Sequence, residues 1–113
     1  MDAWYLPTDA FVRLGPLSGL AAGEGSSAGA QTVACLTQLQ AELRDRGLGL
    51  DDLVNVHVQL AQIEQKHGEY NPAYNDFFHS RGVLRKPSRS TAGVPLADGE
   101  LVRMTAIAIT GEA

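Results

Sequence analysis

The segment LVNVHVQL, residues 53–60, constrains the fold more than any other part of the sequence. Aliphatic and polar residues alternate strictly in it: Val54, Val56, Val58 and Leu60 against Asn55, His57 and Gln59. A period of two is the pattern of a β-strand that buries one face. The aliphatic face of this strand therefore requires a layer of helices against it.

The first candidate for that layer lies in residues 28–46, where apolar residues recur at helical spacing. Ser26 or Ser27 precedes it as an N-cap, and Gly47 follows it as a C-cap. The second candidate is NPAYNDFFHS, residues 71–80. It predicts a helix with Asn71 as N-cap and Pro72 in the first helical position.

Further strands are predicted on both sides of these elements. Two short β-like pieces, AWYL and FVRL, precede the first helix, and the Gly15-Pro16 break separates them from the segment LSGLAA. Pro87 opens a strand that runs to about Gly93, and a final strand spans 101–109. This order of elements predicts an α+β domain with two helices on one face of a mixed sheet.

The other face of that sheet is predicted to be polar at one end and apolar at the other. Asn55, His57 and Gln59 would share it with the outward residues of the last strand, which are Arg103, Thr105, Ile107 and Ile109. Such a mixed face is more typical of a contact between subunits than of a fully solvated surface.

Composition narrows the class of protein. A chain of 113 residues fits one domain, taken as 1–113, and its net charge of -4 gives no footprint for nucleic acid. The single Cys35 excludes an internal disulfide framework. With neither a signal-peptide pattern nor an apolar run long enough for a bilayer, the sequence predicts a soluble, cytoplasmic protein with no membrane partner.

Six short motifs occur in an order and spacing that resemble the Rid/YjgF family of reactive-intermediate deaminases. They are SG at 18–19, QT at 31–32, LGLDDLVNVHVQL from 48, NPAYNDFF from 71, PSRST from 87 and AIAI from 106. The resemblance implies a chorismate-mutase-like fold assembled as a homotrimer, with ligand clefts between subunits and no cofactor. It also implies a small carboxylate-bearing imine or enamine as substrate.

The resemblance suggests four substrate-binding residues. Arg89 occupies the position that clamps a substrate carboxylate, and a planar guanidinium suits that task because it donates two parallel hydrogen bonds. Thr91, Asn71 and Gly19 match further cleft positions. Asn71 has an equal alternative as a helix N-cap, and Gly19 has one in a tight bend or bulge.

The sequence departs from the family pattern at the catalytic position. Arg103 stands where deaminases carry the glutamate that positions the hydrolytic water, and an arginine has no acceptor for that water. Glu100 is three residues away, an odd offset that in a regular strand directs it to the opposite side. Leu20 replaces a glutamine of the family, and Tyr5 is a candidate replacement for its cleft tyrosine, because the segment before Ser18 is shorter than in the family.

Arg103 is the candidate catalytic residue, either stabilising an oxyanion or, alternatively, pairing with an acidic residue across the subunit contact. We predict that Arg89 and Arg103 come from adjacent strands and converge on a ligand with two anionic groups. Two functions stay open: a divergent Rid-family enzyme that is not a typical 2-imino acid deaminase, and a non-catalytic trimeric binder of small carboxylates.

The remaining reactive side chains have simpler interpretations. His57 is either a general acid or base or, more simply, a hydrogen-bonded interface residue. Cys35 lies among helix residues with no adjacent base and is expected to be a small buried filler. His67 and His79 have no carboxylate at ligand spacing, so no metal site is predicted.

Overall fold

The computed structural model describes residues 10–110, which form four strands and two long helices. In chain order these are β1 (Phe11–Ser18), α1 (Ala28–Asp45), β2 (Leu53–Leu60), α2 (Ile63–Ser80), β3 (Ser88–Gly93) and β4 (Val102–Ile109). Two single 3-10 turns, Gly19–Ala22 and Leu50–Asp52, precede α1 and β2. Within this described range, no helix is both long and apolar enough to cross a bilayer.

The strands form one mixed sheet in the order β1-β4-β2-β3. β4 pairs antiparallel with both β1 and β2, and β3 pairs parallel with β2, which leaves β3 at an edge. Both helices cover one face, where they enclose a core that includes Leu36, Val56 and Met104. The predicted α+β architecture is confirmed.

The first helix follows the sequence prediction closely. Its N-cap is Ser27, whose hydroxyl accepts a hydrogen bond from the backbone N–H of Ala30 at 3.1 Å. Gly47 lies just beyond its end with a φ of 74°, a left-handed conformation that glycine adopts without strain.

The predicted start of the second helix is wrong. α2 begins at Ile63, eight residues before Asn71, so Asn71 is not an N-cap and Pro72 lies inside the helix. The first half carries few apolar residues and therefore shows no helical stripe. Pro72 lacks the N–H that would bond the carbonyl of Gly68, and the helix continues through this lost bond.

Two local irregularities change the predicted strands. The pairing of β2 with β4 shifts between Leu53 and Asn55, so Leu53 is buried while Val54 is 43% exposed. β1 runs through the predicted break at Gly15-Pro16, with an irregularity between Leu14 and Leu17. β3 and β4 agree with the prediction to within a residue at each end, and the predicted piece AWYL lies outside the described residues.

The open face of the sheet has the predicted mixture of side chains. Val102, Met104, Ala106 and Ala108 are buried beneath the helices, which directs Arg103, Thr105, Ile107 and Ile109 outward. Register places these residues in rows across the sheet, with His57 between Thr105 and Ser90, and Gln59 between Arg103 and Ala92.

Candidate functional site

Arg89 lies on the edge strand β3 and is exposed. Its register partner on β2 is the buried Val56, so its side chain lies on the helix side of the sheet. There its guanidinium carbon is 4.4 Å from the ring centroid of Tyr74 and 5.6 Å from that of Tyr70. Within residues 10–110 no carboxylate pairs with Arg89. The rings hold the cation in place while its N–H donors stay available.

The two tyrosines beneath Arg89 come from successive turns of α2. The hydroxyl of Tyr70 is 2.8 Å from that of Thr91, two residues beyond Arg89 on β3. The hydroxyl of Tyr74 is buried and has no hydrogen-bond partner in the described part of the chain. Burial raises the pKa of Tyr74 well above its ordinary value, and Arg89 only partly opposes this. Tyr74 is therefore neutral at physiological pH.

Arg103 is held by Glu100, a contact that the sequence prediction excluded. The guanidinium donates from Nε to Oε2 at 3.1 Å and from Nη2 to Oε1 at 2.6 Å, a bidentate pair within one chain. The prediction failed because it assumed a regular strand through Glu100, whereas β4 begins only at Val102. The irregular backbone before the strand lets the carboxylate turn towards Arg103.

The carboxylate of Glu100 has no unused acceptor capacity. Besides Arg103, Oε2 accepts from the hydroxyl of Ser18 at 2.6 Å, and Oε1 accepts from the backbone N–H of Ala97 at 3.3 Å. Burial would raise the pKa of Glu100, but the hydrogen bonds from Arg103, Ser18 and Ala97 outweigh it and lower that pKa. Glu100 thus stays ionised and is a poor proton acceptor.

A buried glutamine holds the backbone on both sides of Glu100, and sequence reasoning gave it no role. Gln31, from α1, donates to the carbonyl of Gly99 at 2.9 Å and accepts from the N–H of Leu101 at 2.7 Å. Gly19 lies against this side chain, because a Cβ at position 19 would collide with Gln31 and come within 2.9 Å of the Val102 carbonyl. Gly19 is thus required by close packing. Gln31 lies in the first turn of α1, and nothing in the local sequence signals that its side chain is buried.

The structure does not bring Arg89 and Arg103 together within one chain. β2 lies between their strands, so the prediction that the strands are adjacent is wrong. Arg103 pairs in register with Gln59 on the open face, whereas Arg89 lies on the helix side. One chain by itself therefore does not form a site that uses both arginines.

The structure gives positions for Asn71 and His57, and it rules out Cys35 as a nucleophile. Asn71 lies within α2, partly exposed, one residue after Tyr70. On the open face, His57 Nδ1 is 2.8 Å from the hydroxyl of Ser90. Cys35 is buried, and desolvation raises its pKa to about 12, so it is no nucleophile. Among the residues that the structure describes, no cluster of His, Cys, Asp or Glu could hold a metal.

A cavity of about 610 Å³ lies between the start of α2 and the segment that links β3 to β4. Gln62, Glu64, Gly93, Asp98 and Glu100 are among the residues that line it. Neither arginine lines this cavity. It therefore does not contain the clamp that the sequence predicts.

These features define an α+β domain with an edge-strand arginine that has no carboxylate partner among residues 10–110, and with a carboxylate–arginine pair just before the last strand. A comparison with family models matches residues 17–110 to the family described as Endoribonuclease L-PSP. This is the Rid/YjgF family, and the chain belongs to it. A sequence search of curated proteins finds no match.

Solved structures of the same family have the same fold. A putative translation initiation inhibitor from Vibrio vulnificus CMCP6 is 25% identical, with a TM-score of 0.80 over 92% of this chain and 84% of that one. The YjgF gene product of E. coli is 21% identical, with a TM-score of 0.79 and the same coverage. E. coli TdcF, solved with bound serine, is 20% identical with a TM-score of 0.78, again over 92% and 84%.

Proposed function

We propose that this chain binds a small carboxylate-bearing metabolite, of the imine or enamine type, in a cleft between the subunits of a homotrimer. Arg89 is the carboxylate clamp. The observation that carries this proposal is the guanidinium of Arg89, fixed over Tyr74 yet without an anionic partner in residues 10–110. Its planar donors match a carboxylate. E. coli TdcF, solved with bound serine, supports an amino-acid-like ligand.

Binding of 2-oxobutanoate, a stable analogue of 2-iminobutanoate, tests this function by isothermal titration calorimetry. We expect saturable binding of one carboxylate per chain. Butanol, which has the same chain length and no carboxylate, is the matched ligand control and should not bind. Equal heats from both ligands would refute the clamp.

Hydrolysis of simple 2-imino acids should be weak or absent. A carboxylate directs water only through a free acceptor site, and all four acceptor positions of Glu100 are taken by Arg103, Ser18 and Ala97. The measurement is ammonia release from freshly generated 2-iminobutanoate, with an active deaminase of this family as the positive control. Equal rates for the two proteins would show that another group directs the water.

A catalytic role is the second candidate function, and the partial exposure of Arg103 favours it. Its side chain is 38% exposed although it pairs with Glu100. A fixed cation with a solvent-facing side can stabilise an oxyanion that develops in a transition state. Such an enzyme would act on a reactive carbonyl or imine without a carboxylate base.

The homotrimer is a separate prediction. The open face of the sheet carries exposed Phe11, Val54, Ile107 and Ile109. We expect this face to be buried between subunits, because a contiguous apolar patch on a sheet seldom remains in water. Sedimentation velocity at micromolar concentration should give a trimer mass, and Ile107→Lys should shift it towards the monomer. A monomer of the unaltered chain would contradict the prediction.

A further inference from the structure

The hydroxyl of Tyr74 is a buried polar group that the fold does not use. Tyr74 is 4% exposed, and its hydroxyl makes no hydrogen bond to any residue in the range 10–110. A buried hydroxyl without a partner lowers the stability of a fold, because it has lost its hydrogen bonds to water. A phenylalanine at position 74 would keep the packing of the ring without this cost.

The ring of Tyr74 is held in place by three neighbours. Tyr70 and Phe78, one turn before it and one turn after it on α2, have their ring centroids 6.1 Å and 5.0 Å away. Arg89 lies over the ring from β3, with its guanidinium carbon 4.4 Å from the centroid. The hydroxyl of Tyr70 is satisfied, since it is 2.8 Å from that of Thr91. In this row of three rings, only the middle one carries an unpartnered hydroxyl within the described residues.

Arg89 covers the face of this buried ring. Arg89 itself is exposed on an edge strand. Its positive charge acts on the hydroxyl beneath it, lowering the pKa of Tyr74 against the larger effect of burial. The hydroxyl still keeps its proton at physiological pH and can donate it to a hydrogen bond. A ligand that draws Arg89 off the ring therefore brings its own atoms next to a neutral hydrogen-bond donor.

We propose that Tyr74 is a specificity-determining residue of the Arg89 site, and that its hydroxyl donates a hydrogen bond to an acceptor next to the carboxylate of the ligand. The guanidinium of Arg89 binds the carboxylate, and its movement with the ligand uncovers the hydroxyl. The acceptor is the oxygen of a 2-oxo acid or the nitrogen of a neutral 2-imino acid. This inference rests on the proposed function at Arg89.

Such a hydrogen bond is made only in the complex, because the free chain has no partner for the hydroxyl among residues 10–110. Binding then relieves the cost of the unpaired group as well as forming a new contact. A ligand without the acceptor leaves the donor unpaired and buried, so a site of this kind discriminates strongly against it. Tyr74 would thus select 2-oxo and 2-imino acids over simple carboxylates.

The binding test compares 2-oxobutanoate with butanoate, which has the same carboxylate and chain length but no acceptor on the adjacent carbon. Isothermal titration calorimetry should show that the unaltered chain binds 2-oxobutanoate about tenfold more tightly than butanoate. In Tyr74→Phe this preference should disappear, through a loss of affinity for 2-oxobutanoate.

Thermal denaturation of the free chain is a second readout, which a purely structural role of the hydroxyl would move in the opposite direction. Tyr74→Phe should leave Tm unchanged or raise it, because it removes a polar group that has no partner. Tyr70→Phe is the matched control. It removes the same atom from the neighbouring ring, where the hydroxyl contacts Thr91, so Tm should fall by a few degrees.

The outcomes separate this inference from the function on which it rests. If the unaltered chain binds neither ligand, the clamp at Arg89 is wrong and the role of Tyr74 falls with it. If the chain binds both ligands without preferring 2-oxobutanoate, or if the preference persists in Tyr74→Phe, the clamp stands and this inference is wrong. A fall in Tm for Tyr74→Phe as large as that for Tyr70→Phe would also overturn it, because the hydroxyl would then have a partner in the free chain.

Discussion

Replacing Arg89 by alanine should lower the affinity for 2-oxobutanoate roughly a hundredfold and leave the fold intact. A charge-assisted bidentate contact contributes about 2–3 kcal/mol, which corresponds to about two decades in Kd. The side chain is exposed on an edge strand, and what it contributes to the fold is its contact with the ring of Tyr74. Calorimetric titration gives the affinity, and thermal denaturation checks the fold.

Two further variants separate the clamp from a general charge effect. Arg85→Ala removes the same charge from an exposed residue in the segment between α2 and β3, and should leave affinity within a factor of two or three. Arg89→Lys retains the charge but loses the planar fork, so it should fall between the unaltered chain and the alanine variant. If Arg85→Ala and Arg89→Ala weaken binding equally, Arg89 acts only through long-range charge.

Much of the fold was predictable because its pattern is local. The alternation in 53–60 and the helical spacing in 28–46 each specify one element and its buried face. The start of α2 was not predictable in this way. Residues 63–70 become helical through packing of Tyr70 beneath β3, a contact with no counterpart in the local sequence. The bulge that exposes Val54 likewise depends on pairing with β4.

The sequence allowed individual residues of the candidate site to be named, but not their arrangement in space. Arg89 could be named from its motif, but of the two rings that hold it only Tyr74 lies in the predicted helix, and Tyr70 belongs to a turn that the sequence prediction placed outside it. The pairing of Glu100 with Arg103 depends on where β4 begins. The side chain of Gln31, which accepts from the backbone N–H of Leu101, holds the chain just before that start. A single residue of irregular backbone reverses the side on which a carboxylate lies.

The Glu100–Arg103 pair also changes the expected ligand. Two arginines in one cleft would favour a dianion, but Glu100 cancels the charge of Arg103 with a bidentate contact. Of the two arginines, only Arg89 has no carboxylate partner within residues 10–110. A ligand with one carboxylate therefore fits the electrostatics of the chain better than a dicarboxylate does.

Removing Arg103 should destabilise the fold more than removing Glu100 does. Arg103→Gln leaves a carboxylate that is 2% exposed without its cation, whereas Glu100→Gln leaves a guanidinium on a side chain that is 38% exposed and that water can solvate. We expect losses in the free energy of unfolding of about 3 kcal/mol for Arg103→Gln and about 1 kcal/mol for Glu100→Gln at pH 7. Urea denaturation measures both.

The stability contributed by Glu100 depends on pH with opposite signs in the unaltered chain and in Arg103→Gln. In the unaltered chain the folded-state pKa of Glu100 is lowered. Its contribution to the free energy of unfolding is therefore complete above the ordinary glutamate pKa of about 4.3, and it is lost as pH falls through the lower folded-state pKa. Without Arg103, burial raises that pKa instead, because desolvation is the largest influence on it. The loss in the free energy of unfolding caused by Arg103→Gln should therefore become smaller as pH falls from 7 to 4.

The double variant Glu100→Gln, Arg103→Gln isolates the bare buried charge as the cause. It carries both substitutions yet lacks the charge, so it should be more stable than Arg103→Gln alone at pH 7, although it has one more altered residue. Both variants should converge near pH 4, where Glu100 of the single variant is protonated. If the double variant is less stable than Arg103→Gln at pH 7, the stabilisation comes from packing of the two side chains and not from their charges.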